Sequence, residues 1–415
     1  MAFLILVFLS TSIFPIFGEP ALKDPDFAVE KFVSTLSFPT SMTFVGNDIL
    51  VLQKNDGKVL LIRDGVLQEK PILDFNVSNN SERGLLGITT TDSHVYIYLT
   101  ESTRDGAEPL GNRIYSYVWN GNELVNQTLV KNLPATPGPN HDGGAMVTGL
   151  DDAVYAVIGD LNRNGLLQNY PDGEFDDTSV ILRVVPEGPY HGIGIRNSFG
   201  LAIDPVNGNL WDTENGPDKY DEINFVSSNF NSGWEKIMGS SPKLRLEQLP
   251  VVENYTYTDP EFSWEQVVAP TAISFVNSKP LEKFKNSVFV GDCNNGNLYK
   301  FELNSDRTGF VFKSDSLEDN LANTGESLNE IIFGTGFGCL TDLELGPDGF
   351  LYIVSLSEGT IYRIIPKTMM GQTDTEIVPT PQAIFPTESA IYALVVTLII
   401  TAAVFYLVKT KRKNK

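Results

Sequence analysis

The chain has 415 residues, 42% of them hydrophobic, enough for one large folded domain with a substantial core and terminal extras. Its formal net charge is −22, which argues against nucleic-acid or anionic-membrane binding, since both need a basic face. Charged residues make up only 20%, so this is an acidic surface on a folded protein and not a disordered polyanion.

Residues 1–18 open with the apolar run FLILVFLSTSIFPIFG and turn polar at Glu19, the pattern of a secretory signal peptide; Pro15 and Gly18 favour that reading over an uncleaved anchor. From about residue 30 to 366, six similar segments follow, each a turn, an alternating apolar strand, a second turn and another strand. Gly46-Asn47-Asp48 leads into ILVLQ, and Asp56-Gly57-Lys58 into VLLI. Asp92-Ser93 leads into VYIYL and then RIYSYVW, Asp151-Asp152 into VYAVIGD, and Asn207-Gly208 into LWDTENG. Lys285-Asn286 leads into VFVGD, with LYKFEL after it, and Pro347-Asp348-Gly349 into LYIVSL, with IYRII after it. Period-2 alternation between Gly, Asn and Asp turns predicts β-hairpins, and their recurrence predicts an all-β, six-bladed β-propeller with its site on loops at the channel mouth.

Residues 367–389, with Pro379, Pro381 and Pro386 among Thr, Gln and Glu, read as an extended stalk. Residues 390–408, AIYALVVTLIITAAVFYLV, carry no charge and match the ~20 residues of a transmembrane helix. The basic tail 409–415 follows and predicts a cytoplasmic end, leaving the propeller outside the cell membrane. Asn76, Asn79, Asn126 and Asn254 each begin an Asn-x-Ser/Thr triplet, a glycosylation acceptor in an exported protein and equally a chance pattern.

Of the three histidines, His94 and His191 lie in turns, where exposure is the plain expectation. His141 stands in Pro139-Asn140-His141-Asp142-Gly143-Gly144, and the glycines after it permit close approach of backbone to a ligand. It is the strongest candidate base, with a structural role the competing reading. Asp160 ends a strand and is placed to orient a histidine. Arg196 and Asn197 at a strand entrance offer a fixed cation and an amide. Glu214 to Asp218, before Asp221-Glu222, reads as a Ca²⁺-suited loop of carboxylates and carbonyls, or as a solvated acidic turn.

In this order and spacing, Arg83-Gly84-Leu85-Leu86-Gly87, His141-Asp142-Gly143-Gly144, Ile158-Gly159-Asp160, Arg196-Asn197-Ser198-Phe199-Gly200-Leu201, Glu214-Asn215-Gly216-Pro217, Asp221-Glu222-Ile223-Asn224 and Asn231-Ser232-Gly233-Trp234 resemble the soluble quinoprotein glucose/sorbosone dehydrogenases. The resemblance runs from Phe38 to about Ile365 and implies a six-bladed propeller. It implies that His141 is the base, Asp160 its orienting carboxylate, and Arg196 with Asn197 the holders of the quinone of a PQQ cofactor. It also implies that the carbonyls of Gly216 and Pro217 bind Ca²⁺. The other cofactor contacts map to Glu82, Asn294 and Thr341, and here the chain departs from the family. Glu82 stands where the family has Gln, Asn294 where it has Lys, and Cys339-Leu340-Thr341-Asp342 where it has Arg-x-Arg-Asp. The chain's two cysteines, Cys293 and Cys339, fall at aligned sites that face the family's cofactor pocket. In an oxidising exterior that implies a disulfide, with a metal-binding thiol pair or two separate buried thiols as the alternatives.

The resemblance thus implies a membrane-anchored, extracytoplasmic oxidoreductase acting on a sugar or related alcohol, passing electrons to a respiratory acceptor. The competing expectations are a surface propeller that binds a partner without catalysis, and a metal-dependent hydrolase, for which no ring of carboxylate ligands can be placed.

Overall fold

The computed structural model describes residues 18–162, 169, 176–240 and 246–370. The expected signal peptide before Gly18, the stalk beyond Met370, the transmembrane segment and the basic tail lie outside the described residues. Among the described residues no helix is long and apolar enough to cross a membrane.

The strands form six sheets among the described residues. At one edge of each lies one of the strands Pro39–Val45, Leu85–Thr90, Met146–Thr148, Ser198–Ile203, Pro270–Phe275 and Leu340–Leu345. Each of these inner strands packs against the next in chain order, and Leu340–Leu345 packs back against Pro39–Val45, so the sheets close a ring: an all-β propeller. The N-terminal strand Phe27–Val33 pairs antiparallel with Thr360–Pro366, so the last sheet holds both ends of the ring together.

The period-2 pattern explains the packing. In Asp48–Gln53, Ile49 and Val51 enter the core shared with the last sheet, while Leu50 and Leu52 enter the core shared with the second. Neither face meets water, which is why this strand reads as an unbroken apolar run. The same arrangement recurs at every seam, giving six hydrophobic clusters, each filling the space between consecutive sheets. Full burial of each such aliphatic side chain contributes ~1.5–3 kcal/mol. The outer strand Leu124–Leu133 has no neighbour beyond it among the described residues, and half of its length is exposed.

A buried ion pair ties two sheets at their rim. Arg307 donates through Nε to Asp204 Oδ2 at 2.6 Å and through Nη2 to Oδ1 at 2.8 Å, and the Asp204 side chain is inaccessible to solvent. Removing the cation leaves a buried, uncompensated carboxylate. Arg307→Ala is therefore expected to lose ~3 kcal/mol or more of stability, read from urea unfolding; unchanged unfolding would refute that role.

The inner strands share a device that builds the site. In five of them the pairing register shifts near the first residues: Pro39 to Met42, Leu85 to Gly87, Ser198 to Gly200, Pro270 to Ala272 and Leu340 to Asp342. Such irregularities turn a side chain out of the ladder. The residues they release, Thr40, Leu86, Phe199, Thr271 and Thr341 among them, line one central cavity.

Candidate active site

The cavity has a volume of about 750 Å³. Of the residues expected at a site, Glu82, His141, Arg196, Asn197, Gly216, Cys293, Asn294, Cys339 and Thr341 line it. Asp160 lies behind His141 and not on the wall, and Pro217 is exposed on the loop beyond Gly216.

His141 is 8% exposed and has a left-handed backbone, φ +66°. Gly159 makes room for it: a Cβ there would meet the His141 carbonyl oxygen at 2.7 Å and the His141 Cβ at 2.9 Å. The ring Nδ1 lies 2.6 Å from Asp160 Oδ1. Asp160 also accepts from the Asn162 backbone N–H at 2.9 Å and, on Oδ2, from Trp234 Nε1 at 2.9 Å. Held by these donors, the carboxylate accepts a hydrogen bond from Nδ1–H, which fixes the tautomer that leaves Nε2 as an acceptor. The His141 backbone N–H donates to Glu82 Oε2 at 2.5 Å, so the backbone of the residue is held as well as its ring.

Asp142 works from beneath. It is wholly buried, accepts from Asn112 Nδ2 at 3.1 Å, and its Oδ2 lies 3.6 Å from Arg83 Nε. Tyr98 donates to its carbonyl at 2.8 Å. Burial pushes its carboxyl up to about 6, against the pull of Asn112 and Arg83. These contacts anchor the loop that carries His141.

Arg196 donates through Nη1 to the carbonyls of Asn215 at 2.7 Å and Gly216 at 3.1 Å, and its guanidinium lies 5.3 Å from the Trp234 ring centre. Among the described residues its buried Nε has no hydrogen-bond partner, and neither does Asn197 Oδ1. Asn197 Nδ2 reaches Glu82 Oε2 at 3.4 Å. Glu82 thus bridges the base and the Arg196–Asn197 pair with a carboxylate. Thr341 Oγ1 donates to the Pro39 carbonyl at 3.1 Å, and Asn294 Nδ2 to the Val267 carbonyl at 3.3 Å. Cys293 and Cys339 form a disulfide that joins the fifth sheet to the sixth at the cavity wall.

Three sequence expectations need correcting. His94 is half-buried, with Ser93 Oγ 2.7 Å from its Nδ1, and His191 is half-buried edge-on against Tyr155 at 5.0 Å, where burial lowers its pKa. The acidic run after Thr213 is solvated only at Asp218. Glu214 and Glu222 sit on paired strands, almost wholly buried, and Asp221 accepts from the backbone N–H groups of Gly216, Val268 and Ala269. Ser232 Oγ donates to Glu214 Oε2 at 2.6 Å. Among the described residues no group of three or more His, Cys, Asp or Glu side chains is arranged to hold a metal.

Asp212 and Glu222 belong to this buried acidic group, and burial raises them to about 7 and about 8. Unfolded, both titrate near 4. The folded state therefore binds more protons between about pH 4 and 8, and stability falls as pH rises through that window. In EDTA, the melting temperature is expected to be higher at pH 6 than at pH 8.5, with the difference reduced in Asp212→Asn/Glu222→Gln. A higher melting temperature at pH 8.5 would contradict this.

Lys54, a cavity residue, carried no signal in the sequence: it reads as an ordinary turn lysine in Gln53-Lys54-Asn55-Asp56-Gly57.

Comparison with known proteins places the chain in a family. A sequence model described as glucose/sorbosone dehydrogenase matches residues 36–363, and the chain belongs to that family. The aldose sugar dehydrogenase YliI of Escherichia coli is 24% identical over 260 residues, covering 58% of this chain and 64% of that protein. Quinoprotein glucose dehydrogenase B of Acinetobacter calcoaceticus is 25% identical over 259 residues, covering 52% of this chain and 54% of that protein. Among solved structures, the PQQ-bound form of the aldose sugar dehydrogenase of Streptomyces coelicolor shares the fold, with a TM-score of 0.62 at 21% identity, over 83% of this chain and 99% of that one.

Proposed function

We propose that the protein is a sugar-oxidising quinoprotein whose six sheets act as the six blades of the propeller, with His141 as general base. The observation that carries this is His141 on the wall of a 750 Å³ cavity, backed by Asp160 and beside Arg196 and Asn197. His141 Nε2 accepts the proton of a sugar hydroxyl, most simply the anomeric one, and Asp160 holds the imidazole while charge develops on it. Bound PQQ would supply the two-electron acceptor for the hydrogen lost from carbon.

The reacting end of the cavity fits such a group: the buried Arg196 Nε and Asn197 Oδ1, without a partner among the described residues, leave polar capacity there for a ligand. Arg196 and Asn197 would hold and polarise a quinone carbonyl. Gly216 and Pro217 are the proposed carbonyl ligands of Ca²⁺; an ion at Gly216 competes with Arg196 Nη1 for that oxygen. The carboxylate end fits less well, since Glu82, Asn294 and Thr341 bring no cation and the last two are hydrogen-bonded to neighbouring carbonyls.

In this reading residues 390–408 anchor the propeller to a membrane with its cavity outside the cell, near a respiratory electron acceptor. The test is dye-linked oxidation of neutral aldoses by the full-length protein loaded with PQQ and Ca²⁺. Conversion of an aldose to its lactone supports the function, and inertness toward a broad panel of sugars and alcohols refutes it.

A further inference from the structure

We propose that Lys54 is the anion anchor of this cavity, the group that binds a carboxylate of the molecule held beside His141. The proposal deepens the reading above and rests on it only in placing the ligand in this cavity. Lys54 directly follows the strand Asp48–Gln53, and its backbone is fixed between two inner strands. Its N–H donates to the Phe38 carbonyl and its carbonyl accepts from Leu85, both at 3.0 Å. Its ammonium has one hydrogen bond among the described residues, to Asn55 Oδ1 at 3.2 Å, and no ion pair there.

The other cation on the wall, Arg196, already has two carbonyl partners. Lys54 is a poorly solvated ammonium with capacity to spare. Burial pulls it down to about 8, and the fields of Glu82 and Asp142 only partly offset that. A partly buried ammonium lacking a carboxylate partner carries a desolvation cost that a ligand carboxylate would offset. The aligned positions that bring no cation, Asn294 and Thr341, lie on the same cavity wall. A carboxylate at Lys54 can come from a tricarboxylate quinone such as PQQ or from an acidic sugar; a neutral sugar has none.

The test titrates the full-length wild type, Lys54→Met and Lys54→Arg with PQQ, glucuronate and glucose, by calorimetry and tryptophan fluorescence. Lys54→Met is expected to weaken the carboxylate ligand that the wild type binds by ~10–100-fold, to leave glucose binding unchanged, and to melt as the wild type does. Lys54→Arg is expected to retain most of the affinity. Wild-type affinity for the anion falls as pH rises above about 8, and that of Lys54→Arg does not, with Glu82, Asp142, His141 and Arg196 as the other charged or titratable groups nearby. Loss confined to PQQ assigns the contact to the cofactor. Loss confined to glucuronate assigns it to an acidic substrate, leaving sugar oxidation by the loaded protein as the separate test of function. Equal carboxylate affinity in wild type and Lys54→Met overturns the proposal. So does a wild type that ignores PQQ and binds glucuronate no better than glucose.

Discussion

Replacing His141 by Asn is expected to lower turnover of the PQQ-loaded protein by ~10²–10⁴-fold, the range for removal of a positioned general base. Asn is the informative substitution because position 141 has φ +66°, a conformation Asn tolerates better than Ala. Its side-chain amide can still meet Asp160, so the loop keeps its anchor while the acceptor at the Nε2 position disappears. The melting temperature should therefore stay close to that of the wild type, and the loss should fall on kcat more than on KM. A His141→Asn protein that oxidises sugar at the wild-type rate would remove His141 from the chemistry. A large drop in melting temperature would instead point to a structural role for the ring.

Reducing the Cys293–Cys339 bridge is expected to lower stability by about 4 kcal/mol, the chain-entropy value for a closed loop of this length. The two cysteines are 46 residues apart in sequence and join neighbouring sheets across the cavity wall. In the chain-entropy picture the effect lies in the freer unfolded chain. Urea unfolding with and without reductant, and in Cys293→Ser/Cys339→Ser, reads it directly. Unchanged unfolding after two thiols have been titrated would show that the ring closes without the staple.

The strands were legible because most are buried on both faces between sheets or lie in hairpins closed by Gly, Asn and Asp turns. ILVLQ, VYIYL, VFVGD and LYIVSL coincide with strands of the structure. Phe27–Val33 was not legible as the closing strand, because its partner Thr360–Pro366 lies at the far end of the domain and nothing local records the pairing. His141 and Asp160 could be ranked as candidates from their loop and strand-end positions, but only the family resemblance joined them. The run Glu214 to Glu222 misled, since Glu214, Asp221 and Glu222, on either side of Gly216-Pro217, look solvated until the sheet that buries them is assembled. Lys54 left no trace: its burial depends on inner strands brought together by ring closure and by the register shifts that open the cavity.

The measurement that bears most directly on the central claim is an anaerobic single turnover. The full-length protein, loaded with PQQ and Ca²⁺ and freed of excess cofactor, is mixed with a panel of aldoses, and lactone is quantified against protein. About one lactone per loaded cavity is expected with wild type and none on the same timescale with His141→Asn. Retention of PQQ without lactone from any sugar, or equal yields from the two proteins, would contradict it.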